Sequence, residues 1–301
     1  MRGVWAGVQD YWVTMKFFIT GAQGNVGSRL SHELVAQGHD VIGVDIADFD
    51  ITVFETVVAR VSAARPDVVI HCAAMTNVDR CAEQPDEALR INALGTQNVA
   101  VASQQVGAAL CYISTNEVFD GERGTPYREY DTPRPINPYG YSKWAGEQMV
   151  RDLAPRHFIV RISWLFAHTG KNFLQKMVSQ AAENRPLAVV TDEVACPTYA
   201  EDLVPALVRL VQTGRYGIYH LANEGAASRY DFARHILSCY GFKDYPITPI
   251  ISAQYPRPSR PPTYSALTNF MAAQMGIRLR PWREAVAAYA ERERESAAES
   301  R

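Results

Sequence analysis

The feature that most restricts the fold of this chain is the stretch Phe17-Phe18-Ile19-Thr20-Gly21-Ala22-Gln23-Gly24-Asn25-Val26-Gly27. Its first four residues are apolar or β-branched, as a strand buried in a parallel sheet requires. Glycines follow at Gly21, Gly24 and Gly27, and a periodic, helix-like segment then runs to Gln37. A glycine at the strand exit permits a tight turn, and one at the helix start lets backbone come close to a phosphate. The helix N-terminus adds unpaired N–H groups and a positive dipole end, so the unit suits a diphosphate. The spacing is G-x-x-G-x-x-G rather than G-x-G-x-x-G, and glycine triplets also form plain tight turns. Context strengthens the reading. Val41-Ile42-Gly43-Val44 is a second apolar strand, and Asp45 at its end stands eighteen positions after Gly27, where a ribose-binding acid belongs.

Strand and helix patterns alternate from Lys16 to Ile162, which predicts an α/β, Rossmann-type, doubly wound parallel sheet. The strands fall at Lys16–Thr20, Asp40–Val44, Asp67–His71, Ala109–Ser114 and His157–Ile162. The helices fall at Asn25–Gln37, Val53–Ala64, Asp86–Val106 and Tyr139–Leu153. Gly121–Asn137, polar and carrying Pro126, Pro133 and Pro135, reads as a long loop of the functional kind. Beyond Ile162 the pattern weakens, with helices at Asn172–Ala182 and Ala200–Gln212, a strand at Gly217–His220, and a helix over Ser228–Cys239 opened by an N-cap serine. Six prolines between Pro246 and Pro262 then exclude long regular elements. The expected organisation is an extension over residues 1–14, a dinucleotide-binding domain over 15–162, and a smaller, interleaved substrate lobe over 163–301. A segment near 196–222 returns to the first domain.

Composition narrows the partners. With 301 residues, 47% of them hydrophobic, the chain is large enough for a domain and a satellite. A net charge of −2 gives no broad basic face, so nucleic acid is not an expected partner. No apolar run spans a bilayer. Cys72, Cys81, Cys111, Cys196 and Cys239 are scattered without C-x-x-C spacing, which fits reduced thiols in a cytoplasmic protein and neither a metal site nor a disulfide framework.

Three groups of residues carry chemistry. Asp45 would accept from both ribose hydroxyls and repel a 2′-phosphate. No Arg or Lys lies within Ile46–Asp50, so NAD(H) is favoured, with NADP(H) left open. Asp50-Ile51 offers a carboxylate to an adenine amino group, or a cap for the next helix. Tyr139-Gly140-Tyr141-Ser142-Lys143 places Tyr139 and Lys143 four apart, on one helical face. A phenol is a poor acid–base group at neutral pH, and an ammonium beside it favours the phenolate. Tyr141 has Ala145 in the corresponding position, so Tyr139 is the better candidate.

The turn, Asp45, Thr115 and the Tyr139/Lys143 pair resemble the extended short-chain dehydrogenase/reductase superfamily. Within it the chain is similar to the dTDP-4-dehydrorhamnose reductase family from Met15 almost to its end. The matching stretches are His71–Asp79, Asn92–Thr96, Ser114-Thr115 with Val118–Gly121, Pro138-Tyr139-Gly140 with Ser142-Lys143 and Gly146-Glu147, Arg161–Trp164, Asn172-Phe173 and Cys196–Tyr199. The resemblance implies a catalytic trio of Thr115, Tyr139 and Lys143. It places Gly24, Asn25 and Val26 at the cofactor diphosphate, with Gly21 in the same cofactor-binding turn, and Ala74, Met75 and Thr76 at the nicotinamide. Thr115, Asn116 and Trp164 would meet a nucleotide sugar. A monomer or homodimer is expected, and no metal, because the sequence offers no specific glutamate cluster of the kind through which some relatives dimerise. The implied reaction is NAD(P)H-dependent reduction of the 4-keto group of a nucleotide-linked 6-deoxyhexose. The alternatives are an epimerase or dehydratase that recycles bound NAD, and a catalytically silent cofactor-binding subunit. One departure stands out: the family usually reads S-T-D-Y-V-F-D-G, and here it is Ser114-Thr115-Asn116-Glu117-Val118-Phe119-Asp120-Gly121. Thr-Asn-Glu resembles the Thr-Asp-Glu of nucleotide-sugar dehydratases, but Asn116 lacks the proton that their elimination needs.

Overall fold

The computed structural model describes residues 14–170 and 172–299, so the expectation for residues 1–14 concerns, Thr14 apart, residues outside that range. The first half runs β1 (Lys16–Thr20), α1 (Gly27–Ala36), β2 (Asp40–Val44), α2 (Phe54–Ala64), β3 (Val68–His71), α3 (Val78–Glu83), α4 (Pro85–Leu89), a π-helical turn (Arg90–Gly95), α5 (Thr96–Gln105), β4 (Ala109–Thr115), α6 (Pro138–Leu153) and β5 (His157–Ile162). The second half runs β6 (Leu165–Phe166), α7 (Phe173–Ala182), β7 (Leu187–Val190), β8 (Val194–Ala195), β9 (Thr198–Tyr199), α8 (Ala200–Gln212), β10 (Gly217–His220), β11 (Ala227–Ser228), α9 (Arg229–Cys239), β12 (Ile247–Ile250), α10 (Phe270–Gln274) and α11 (Trp282–Glu299).

Six strands form one parallel sheet in the order β10-β5-β4-β3-β1-β2. Alternation along each strand sends side chains to opposite faces, and both faces are covered, as a doubly wound sheet requires. Phe17 and Ile19 pack with Leu30, Leu34, Leu203 and Leu207 on one side. Phe18 packs with Val57, Val99, Leu110 and Ile159 on the other. Strand order reverses between β1 and β3, the switch point outside which ligands bind in this architecture.

The expected helix over Asp86–Val106 is instead α4, the π-turn and α5. The cause is the inward side chain of Asn92, buried and bonded to backbone and side chains of other elements. Gly95 meets Ile51 at the same place, where a Cβ would stand 2.8 Å from the Ile51 Cδ1. Single-turn π insertions of this kind commonly accompany functional sites.

The remaining strands pair two by two, β6 with β9, β7 with β12 and β8 with β11. With α7, α9 and α11 they enclose an aromatic core around Phe166, Phe232, Trp282 and Tyr289. The proline-rich stretch holds β12, four residues long, as its composition demands. Among the described residues no helix is long and apolar enough to cross a membrane.

Candidate active site

The C-terminal ends of β1 to β5 open into a cleft of about 1010 Å³. Gly21 begins its wall with φ +68°, and a Cβ there would stand 2.7 Å from the Ala73 nitrogen. Glycine is therefore required both for the left-handed turn and for the close passage of the strand beside it. Gly27 closes the turn onto itself, a Cβ there falling 2.2 Å from the Gly21 carbonyl oxygen. Helix α1 then starts at Gly27 without a side-chain cap, so its first N–H groups have no such partner. A tight glycine cradle at an uncapped helix start fits a diphosphate.

The fifteen residues expected at the site all line this one cleft: Gly21, Gly24, Asn25, Val26, Asp45, Asp50, Ile51, Ala74, Met75, Thr76, Thr115, Asn116, Tyr139, Lys143 and Trp164. Several are placed by identifiable contacts. Asn25 receives the Thr169 hydroxyl on Oδ1 at 2.9 Å, which ties the glycine turn to the lobe. Asp45 accepts from the Gln23 and Ile46 backbone N–H groups at 2.9 and 2.8 Å, so its carboxylate is anchored beside the turn. Asp50 accepts from the Thr52 N–H at 2.8 Å, and this bond leads the causes that hold its pKa below the ordinary value. Met75 is pinned at both backbone groups by the Asn92 amide, at 2.8 and 3.0 Å, while the same amide donates to Ser142 on α6.

Helix α6 carries the reactive pair. It starts at Pro138, a residue suited to the first helical position, behind Asn137, whose Oδ1 accepts from the Gly140 N–H at 2.7 Å. Lys143 is 3% exposed, with its ammonium 4.1 Å from the centre of the Tyr112 ring. Burial brings its pKa down to about 7, against the pull of the Glu147 carboxylate one turn further on. Burial likewise raises the Tyr139 phenol above its ordinary value, Glu117 adds to the rise, and a hydrogen bond with the Thr115 hydroxyl opposes it. This corrects the expectation that Lys143 draws the phenol toward its ionised form. Desolvation is the largest cause of the rise, and the expected pull of Lys143 is not among the causes.

Beneath the pair, Glu147 and Arg161 form a two-point ion pair at 2.9 and 2.7 Å, both side chains at 1% exposure or less. Ser114 adds a hydrogen bond to Glu147 at 2.6 Å. These contacts bolt α6 to β4 and β5. Trp164, at φ 38°, adopts a conformation unusual for a bulky residue, and such strain concentrates at functional sites. Its ring is stacked near Phe232 and carries the Arg229 guanidinium 3.5 Å from its centre. Asn116 is buried, with its amide donating to Ser265 at 2.7 Å.

Sequence reasoning missed two kinds of cleft residue. Arg80 and Arg90 line the cleft from α3 and the π-turn, and Arg90 lies 3.8 Å from Asp50, so a search of Ile46–Asp50 alone overlooked the nearby cations. Glu117 also lines the cleft, and the only sequence signal for it was the departure at that position.

The chain is similar to known proteins over most of its length. The RmlD substrate binding domain family matches residues 15–295. The chain is 40% identical to a dTDP-4-dehydrorhamnose reductase of Mycolicibacterium smegmatis, over 91% of this chain and 84% of the relative. The crystal structure of dTDP-4-dehydrorhamnose reductase from Bacillus anthracis in complex with NADP is similar at a TM-score of 0.87 and 40% identity, covering 91% of this chain and 98% of that one. A Clostridium acetobutylicum orthologue is similar at a TM-score of 0.90 and 38% identity, covering 93% and 100%. The chain belongs to the dTDP-4-dehydrorhamnose reductase family.

Proposed function

We propose that the chain uses a nicotinamide dinucleotide to reduce the 4-keto group of a dTDP-linked 6-deoxyhexose. The observation that carries the reading is the convergence of the glycine cradle, Thr115, Tyr139 and Lys143 on a single cleft. Gly21, Gly24, Asn25 and Val26 hold the diphosphate, Asp45, Asp50 and Ile51 the adenosine, and Ala74, Met75 and Thr76 the nicotinamide side. Once bound, the reduced nicotinamide supplies a hydride.

The residues of the chain supply everything else. Thr115 orients the carbonyl oxygen, with Asn116 and Trp164 bounding the sugar. Tyr139 donates the phenolic proton to the oxygen as negative charge develops on it. A raised phenol pKa suits this direction, because the group stays protonated until a strongly basic alkoxide takes the proton. Lys143 holds the nicotinamide ribose and returns a positive charge to the phenol as its proton leaves. Holding both reactants in near-attack contact supplies a large share of the rate.

The finer reading is a preference for NADH. Asp45, Asp50 and Glu87 outnumber Arg80 and Arg90 around the same part of the cleft, which disfavours an added phosphate. The NADP-bound relative and the position of Arg90 argue that this preference is modest. The test of function is oxidation of NADH and NADPH against a panel of nucleotide 4-keto sugars, with dTDP-linked 4-keto-6-deoxyhexoses expected to be turned over. No oxidation with any member would contradict the reading.

A further inference from the structure

Reduction of a ketone uses one proton donor, Tyr139, and leaves Glu117 without a task. Of the run Thr115-Asn116-Glu117, Asn116 is committed to Ser265, so Glu117 is the titratable group left over. Its place beside Tyr139 is enforced by backbone packing: a Cβ on Gly140 would stand 2.0 Å from the Glu117 carbonyl oxygen, so α6 begins directly against this turn. Glu117 lines the cleft, and its Oε2 accepts from the Asn137 amide at 2.7 Å. Its negative charge is felt by Tyr139 on α6 and by Cys81 on α3. From the lobe it faces Arg229, Arg257 and Glu193. Burial raises its pKa, opposed first by the Asn137 bond and then by the two arginines.

We propose that Glu117 and Tyr139 form an enolisation pair, which exchanges the proton on a carbon next to the keto group with solvent. The inference rests on the 4-keto sugar reading above and adds an activity to it. A ketone at C4 acidifies the hydrogens on C3 and C5. The Glu117 carboxylate removes one of these as a proton. The C–H electron pair becomes a carbon–carbon double bond, and the carbonyl π pair moves onto the oxygen. That oxygen takes the proton of the Tyr139 phenol, which gives a neutral enol. The reverse steps, with a solvent-derived proton on Glu117, regenerate the ketone with its hydrogen replaced. Nothing is oxidised or reduced.

The test incubates the enzyme with a dTDP-4-keto-6-deoxyhexose in D2O and saturating NADP+, which has no hydride to give. Deuterium at C3 and C5 is followed by NMR, and ketone reduction by NADH and NADPH is measured in parallel. The expected result is exchange at least ~100-fold above buffer, the usual scale of general acid–base catalysis, and its loss by a similar factor in Glu117→Gln. Exchange that persists in Glu117→Gln overturns the assignment. Reduction without exchange overturns the proposal and leaves the reductase reading standing. Exchange without reduction supports the proposal and removes that reading, and loss of both in the wild type removes both. A Glu117→Gln protein that fails to fold leaves the wild-type pH profile to decide. Exchange must rise with pH as the carboxyl group ionises, and a profile without any rise from about pH 4 upward overturns the proposal.

Discussion

Tyr139 and Lys143 share a helical face but answer to burial more than to each other. Tyr139→Phe removes the proposed proton donor and little volume, so turnover should fall at least ~100-fold with cofactor affinity nearly unchanged. Retention of most of the rate would move the acid role to another group. Lys143 has a pKa lowered to about 7 by burial, and its charge is lost as pH rises through that value. In the cofactor-free enzyme kcat/KM for the cofactor should therefore decline above about pH 7, a limb that Lys143→Met abolishes together with most activity. The same lysine binds a proton more tightly in the unfolded chain, so its penalty on stability is full below pH 7 and fades toward its ordinary value on the alkaline side. Lys143→Met should accordingly raise the Tm of the cofactor-free protein by ~2–4 °C at neutral pH, and a fall would contradict this account. Asp45→Asn should narrow an NADH preference of roughly tenfold, read as kcat/KM for both cofactors. Equal values in the wild type would remove Asp45 as the discriminating group. The four-residue spacing of the reactive pair is legible in sequence because it is local. Arg90, Asn92 and the reversal of the Tyr139 shift were not, because each arises from packing between distant segments.

At the scale of elements, periodicity located β1, β2, β5 and α8 with their observed bounds, since buried strands and amphipathic helices write their period into the chain. It could not reveal the π-turn, which comes from the inward bonds of one asparagine and the contact of Gly95 with Ile51. The joint between α6 and the sheet is the element-scale feature with the largest expected effect. Glu147→Ala leaves Arg161 as an unpaired, buried cation and frees Ser114, so it should destabilise by about 3–5 kcal/mol. Chemical denaturation measures this, and a loss under about 1 kcal/mol would mean that water or a neighbour replaces the carboxylate. Gly140→Ala should displace α6 from the Glu117 turn, because the new methyl group meets backbone rather than a movable side chain. Activity should fall with it, while a fully active variant would show that the turn yields without moving Tyr139.

Across the whole molecule, the sheet presents a glycine cradle at its switch point, and the second half of the chain brings Trp164, with Arg229 stacked on its ring, and the Thr169–Asn25 bond to the same region. The cofactor half was readable from glycine spacing and strand alternation. Beyond β5 the elements were only partly readable, because two-residue strands and proline-rich segments carry almost no period. The central claim is that a hydride arrives at C4 of the sugar in this cleft, and isotope transfer tests it directly. Wild-type enzyme is given NADH carrying two deuterons at nicotinamide C4 and a dTDP-4-keto-6-deoxyhexose, and the sugar product is examined by NMR and mass spectrometry. The account predicts one deuterium bonded to sugar C4, with loss of incorporation in Tyr139→Phe. A product without deuterium at C4, or recovery of the label wholly in the nicotinamide, would contradict it.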